Sequence, residues 1–267
     1  MKHLHTILIT FFLITFLPAQ KSASQSTPNF KRLVTTTAQK SSQQENQKNK
    51  VSKLKKYPIT LLIIITTTLI SLINICTSTP LFHAYVLKTK KFNMNKNGYT
   101  LLTAGFIQSR WHTLALNMLY LYLFGKNVEW HYAKHWGPVK GRLLYLLTYL
   151  GGILTSNAFY LHHHKKENIT RKGCAAGIYA LLASEFLLHP TQKIHKVPNW
   201  ISIPSALLID LIVPLLTKQK ITFFVRIVGA SYGIVLNGIA TPSVFKKCYS
   251  DLFQPKIDEK KHFPNLF

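Results

Sequence analysis

YPITLLIIITTTLISLINIC, Tyr57 to Cys76, runs without a charged side chain, and no amphipathic period survives between Thr60 and Ile75. A helix needs about 20 mainly apolar residues to cross the hydrocarbon core of a bilayer. A helix on a soluble core keeps a polar stripe, so this segment reads as a membrane span. Similar runs follow at roughly Trp111 to Val128, Arg142 to Leu161, Cys174 to Leu188, Ile201 to Leu216 and Ile221 to Ile239. Several are short or carry polar residues, which suits helices shielded by neighbours inside a bundle. The expectation is an all-α, polytopic membrane protein with six spans.

Outward from the first span, the chain of 267 residues changes character. Lys2 precedes a short apolar stretch from Thr6 to Leu17, and Pro18, Ala19, Ser22 and Ala23 follow it. This pattern reads as a secretory signal or signal anchor over residues 1–23. Residues 24–56 are rich in Lys, Ser, Thr, Gln and Asn, with Glu45 as the one carboxylate. Such a tract cannot bury enough surface to fold alone. A signal followed by a basic, acid-poor tract resembles the presequences of plastids of secondary origin; a cytosolic tail obeying the positive-inside rule is the alternative. The membrane domain is placed at 57–240 and a basic tail at 241–267. The expected location is a membrane of the secretory pathway or of a plastid-type organelle.

A net charge of +25 on a soluble protein would suggest nucleic acid. Here Lys and Arg between the spans are in excess on the side of the Lys21 tract, which places that tract and the C-terminus in the cytosol-like compartment. The surplus favours anionic membrane lipid as a partner. Nucleic-acid binding would require aromatics stacked within a basic groove, whereas most Tyr and Phe sit in or beside the spans. The three cysteines, Cys76, Cys174 and Cys248, have no metal-ligand spacing and read as small apolar residues. His162, His163 and His164 lack further ligands at a recognised spacing and read as a solvated loop. No metal or cofactor is expected. Asn168-Ile169-Thr170 is a glycosylation sequon opposite the cytosol-like side.

Motif-bearing residues begin with Gly98, Tyr99, Thr100, Leu101, Leu102, Thr103. They continue through Phe106, Ile107, Gln108, Trp111, Asn117 and Met118 to Phe124, Gly125, Lys126, Asn127, Val128 and Glu129, and on to Gly173. This run resembles the rhomboid family, which reads approximately Trp-Arg-Leu-Leu-Thr, Phe-x-His, a second His, Asn-Met and Phe-Gly-x-x-Val-Glu. The resemblance covers residues from about 58 to 240 and implies a six-helix intramembrane serine protease fold. Rhomboid chemistry is a Ser and His dyad, in which a serine in Gly-x-Ser-Gly opening the fourth span attacks the scissile carbonyl and a histidine in His-x-x-Gly on the sixth takes its proton.

On this resemblance Ala175 stands at the nucleophile, or Ala176 if Gly177 is taken as the second motif glycine, and Ala230, three residues before Gly233, stands at the base. A methyl group can neither attack nor transfer a proton. Cys174 is rotated about 100° from Ala175 on a helix, and neither it nor Ser231 has a recognisable base. The family's first loop histidine aligns with Gln108 and its second with Thr113, with His112 adjacent; Asn117 is the retained oxyanion-side asparagine. Gly173 with Gly177, and Gly229 with Gly233, are expected to give small faces that bring the fourth and sixth spans together. Gly125 and Glu129 belong to the second-span motif, and Glu129 is expected to tie that span to the following loop.

Asp210 and Arg226 flank the turn between the fifth and sixth spans at similar depth. Leaving either charge unpaired in hydrocarbon costs about 2.5 to 3.5 kcal/mol on insertion scales, so they are expected to pair or to share a hydrated cavity. Glu185 and His189, one turn apart, are expected to share an interfacial hydrogen bond. Three functions follow: a noncatalytic rhomboid-like protein that binds transmembrane helices of client proteins; an active rhomboid serine endopeptidase with a displaced dyad; or a small transporter or assembly factor, for which Asp210 and Arg226 are the clues.

Overall fold

The computed structural model describes residues 57–77, 80–194, 197–216 and 220–253. The expected signal segment (1–23), the basic tract (24–56) and residues 254–267 of the tail lie outside the described residues. The first span is α1, Pro58–Cys76. Pro58 at its start costs no helix bond, because the first N–H groups have no partner within the helix. The following loop folds rather than trailing: a 3₁₀ turn at Pro80–Ala84, β1 at Leu87–Lys88, short helices α2 at Met94–Asn97 and α3 at Thr100–Thr103, and a second 3₁₀ turn at Ala104–Phe106.

The second span starts as α4, Trp111–Tyr120, widens into a π turn at Leu121–Gly125 and continues as α5, Lys126–Trp136. Gly137 breaks it with φ +84, where glycine carries no steric cost, and Pro138 opens α6, Pro138–His164. β2, Thr170–Arg171, pairs antiparallel with β1 through Leu87↔Arg171 and Lys88↔Thr170. Those two loops therefore lie at one end of the bundle, as an alternating span topology requires. The fourth span is α7, Ala175–Leu188. A small hairpin of β3, Lys193–Ile194, and β4, Val197–Pro198, leads into α8, Asn199–Leu216, then α9, Lys220–Ala240, and α10, Val244–Phe253.

Burial separates the helices by role. α7 is buried almost all round, from Ala176 through Glu185 without a break, and packs against α9, α6, α8, α10 and the π turn. A helix apolar on every face belongs at a centre. α1 and the Phe223–Ala240 part of α9 are long and apolar enough to cross a membrane, and both leave most of their surface outward. Leu62, Leu69, Leu143, Leu147, Val235 and Ile239 point away from the core. In water such a belt would be a liability, but against lipid tails it needs no cover.

Polar groups inside the bundle join helices. Tyr132 on α5 donates to Asn237 Oδ1 on α9 at 2.8 Å, and Asn237 Nδ2 donates to Ser184 Oγ on α7 at 2.7 Å. Glu129 acts differently from the expectation that it would tie its span to the next loop. Its fully buried carboxylate accepts the backbone N–H groups of Ile59 (3.0 Å) and Thr60 (2.7 Å) and the Thr60 hydroxyl (2.7 Å). It caps the first span, where unpaired N–H groups and the helix dipole both favour a negative charge. Arg142 Nε stands 3.9 Å from it on α6.

Candidate functional site

The site begins at a turn. Gly173 has φ +123, a conformation that side chains rarely adopt, and its N–H donates to Ala104 O at 2.9 Å. That bond pins the entry of α7 to the first loop. Cys174 follows, wholly buried, with Gln108 Nε2 donating to its Sγ at 3.0 Å. Gln108 is itself held from α1: its N–H donates to Ser71 Oγ at 3.1 Å, and its carbonyl accepts from Asn74 Nδ2 at 2.9 Å. Ser71 Oγ in turn donates to Phe106 O at 3.2 Å. The polar residues of the first span, which look like defects in an apolar run, thus anchor the first loop against the head of α7.

Around Cys174 stand Gln108, Asn117 and Tyr149, none of which accepts a proton at neutral pH. A thiol in that setting has no base to activate it. Asn117 is buried on α4, and Thr113, one turn before it, shares its face. The His112 ring lies edge-on to Trp111, with centroids 6.0 Å apart, and Trp111 is 70% exposed at the rim.

Next to this polar pocket, α7 and α9 run in parallel at the closest distance backbone allows. A Cβ added to Gly229 would collide with the Ala176 carbonyl, and one added to Gly233 with the Ala180 carbonyl. The face that α7 offers is therefore Ala176 and Ala180, which corrects the expectation of Gly173 and Gly177. Gly177 faces the other way, onto α6, where a Cβ would stand 2.6 Å from Tyr149 O; Gly173 lies ahead of the helix beside Gln108. The expected α9 pair, Gly229 and Gly233, does form its half of the contact.

A family model described as the Rhomboid domain matches residues 95–243, more than half of the chain. The chain belongs to the rhomboid family. Among individual curated proteins, none matches it. As a rhomboid it is a membrane-embedded, polytopic helical protein of a family that meets both lipid and transmembrane substrates.

Within this rhomboid, Ala175 is the first residue of α7 and Ala230 packs half-buried against the main core. Gly229, which meets Ala176, marks the level of the site on α9, and Arg226 lies three residues before it. The Arg226 guanidinium sits over the Tyr179 ring at 5.5 Å. The side chain of Asp210, expected to pair with Arg226, lies outside the described residues. Gly125 is buried in the π turn, where a Cβ would stand 2.8 Å from the Tyr145 hydroxyl.

The far end of the bundle holds a feature that sequence reading missed. His189 Nε2 lies 2.7 Å from His131 Nδ1, and His135 stacks on His131 at 6.2 Å. The expected side-chain bond between Glu185 and His189 does not form. Glu185 instead accepts from Asn199 Nδ2 at 3.0 Å, and the His189 N–H donates to the Glu185 backbone carbonyl. His131 lies four residues before His135, a spacing that hints at a shared face, but the partnership with His189 needs two spans to meet. His189, just past the end of α7, is pushed down to about 4, chiefly by burial and next by the positive charge of Lys247.

Proposed function

We propose that this rhomboid is a pseudoprotease that binds transmembrane segments of client proteins and holds or routes them without cutting. The observation that carries the reading is the α7–α9 contact: backbone meets backbone at Ala176 and Gly229, while the neighbouring Ala175 offers a methyl where the family places its serine. Two frames exist for the missing base. Counting back from Gly233 reaches Ala230, and counting back from Gly229, the glycine level with the site, reaches Arg226. A methyl has no proton to move, and a guanidinium stays protonated at any physiological pH. In either frame the dyad has no acceptor.

What remains suits recognition. Gln108 and Asn117 keep polar side chains beside the head of α7, where a client helix that loosens its backbone would find donors. In the same proposal the presequence-like N-terminus routes the protein to a secretory or plastid-type membrane, and determining the mature N-terminus checks that routing. Labelling the purified protein with a serine-directed fluorophosphonate tests the catalytic half: no covalent adduct is expected, and an adduct abolished by a single Ser→Ala change overturns the pseudoprotease reading. Co-purification of intact single-span clients after mild detergent extraction tests the binding half. An unrelated transporter or assembly factor would bring none.

A further inference from the structure

Where α6 ends and α9 begins, Phe159, Tyr160, His163, His164, Phe224 and Val225 enclose a cavity of about 150 Å³. Its walls are largely apolar, and Phe224 stands 53% exposed on the outer surface beside it. The Tyr160 ring lines the cavity and also carries the Arg171 guanidinium at 5.0 Å. Arg171 Nε donates to Asn157 Oδ1 at 2.6 Å, which fixes the head group in place. Among the described residues no carboxylate pairs with Arg171. Glu167, the nearby acid, is engaged by His164 Nδ1 at 3.0 Å.

The positive charge here is concentrated. Burial, opposed by Tyr160 and helped by the charge of Arg226, holds the Arg171 guanidinium down to about 10, still cationic at neutral pH. His163 Nδ1 donates to the Phe159 carbonyl at 3.0 Å, and Lys165, Lys166 and Lys172 are exposed in the same loop. An apolar cleft opening beside an outward Phe, with Arg171 held on the Tyr160 ring that lines it and exposed lysines in the adjoining loop, matches an amphiphile in both polarity and orientation. The α6–β2 loop lies on the side opposite the cytosol-like compartment in the alternating topology, so the amphiphile comes from that leaflet.

We infer that this cleft is a binding site for one anionic phospholipid of the non-cytosolic leaflet, with an acyl chain against Phe159, Phe224 and Val225 and the phosphate on Arg171. The site is separate from the α7–α9 contact and does not depend on whether the protein cuts. Its cations make the head group the selective element: charge-assisted hydrogen bonds are roughly twice as strong as neutral ones, and removing one changes affinity by about tenfold or more.

Native mass spectrometry of the full chain, released from nanodiscs of equal phosphatidylglycerol and phosphatidylcholine, reads the occupancy directly. One retained phosphatidylglycerol is expected, in about tenfold preference over phosphatidylcholine. Arg171→Gln is expected to abolish the preference and Arg171→Lys to retain part of it. His163→Glu, at an exposed position that leaves the fold alone, places a negative charge at the rim and is expected to cut phosphatidylglycerol retention at least fivefold. Lys246→Gln with Lys247→Gln, on α10 at the opposite end, removes two positive charges against the one lost in Arg171→Gln and is expected to leave the retained lipid in place. Equal retention of phosphatidylcholine by the wild-type protein overturns the site, as does an unchanged preference in both Arg171→Gln and His163→Glu.

Discussion

Gly229 meets Ala176 so closely that a single methyl on its Cα would fall on the Ala176 carbonyl. The contact joins the central helix to the last span at the level where rhomboids carry out their reaction. Two neighbouring backbones at that distance gain van der Waals contact along a whole turn, which in lipid substitutes for the hydrophobic drive available in water.

Gly229→Ala or Gly233→Ala should therefore force α7 and α9 apart. Overpacking a close contact costs typically about 1–3 kcal/mol. Thermal melting in detergent should show a clear loss for both, while Val235→Ala, on the outward face of α9, should shift little.

Restoring one half of the dyad should restore nothing. Ala175→Ser alone is expected to remain unlabelled by fluorophosphonate, because the hydroxyl has no base. Adding Arg226→His should raise the labelling rate, and adding Ala230→His should not, since Arg226 precedes the glycine at the level of the site. General-base assistance is worth about 10²–10⁴-fold, so the two double variants should separate widely. Equal labelling would return the base position to Ala230.

Glu129→Gln keeps the shape of the α1 cap but removes its charge. The carboxylate accepts three hydrogen bonds at 3.0 Å or less, and leaving buried N–H groups poorly paired costs about 1–3 kcal/mol. Glu129→Gln should lower the melting temperature, and Glu129→Ala should lower it further. Arg142→Leu, whose nitrogen sits at 3.9 Å, should matter less.

Acid should weaken the end of the bundle where His131 and His189 meet. His189, past the end of α7, has a pKa near 4 in the fold against an ordinary 6.5, so between those values the unfolded chain holds more protons and stability rises with pH. Stability is fully present above about 6.5 and is lost as pH falls toward 4. Melting at pH 7 and pH 5 should show the drop, and His189→Gln, which removes one partner, should flatten it. Lys247, Lys134 and Asp251 face His189, and only Asp251 opposes the trend.

Much of this protein is legible before folding. Apolar runs mark the six spans because a bilayer demands length and hydropathy from each segment separately, and the helices begin and end within a few residues of those runs, except the second, which continues from Val128 to Trp136. Ala175 and the absence of histidine along the last span are equally plain. Glu129 shows where legibility stops: its motif marks it as important, yet its partners are the N–H groups of Ile59 and Thr60, seventy and sixty-nine positions away. Ser71 and Asn74 likewise read as interruptions in an apolar helix until the loop they hold is seen.

By itself, the sequence determined that the chain crosses a membrane repeatedly and that no serine stands between Gly173 and Gly177, because hydropathy and residue identity are local properties. Only the tertiary structure decided which faces meet. Rotation of a buried helix about its axis carries no periodic signal when every face is apolar, as on α7, so Ala176 and Ala180 rather than Gly173 and Gly177 receive the last span. The same holds for His131 with His189 and for the cleft beneath Arg171: each joins groups from separate spans, and only packing brings those together.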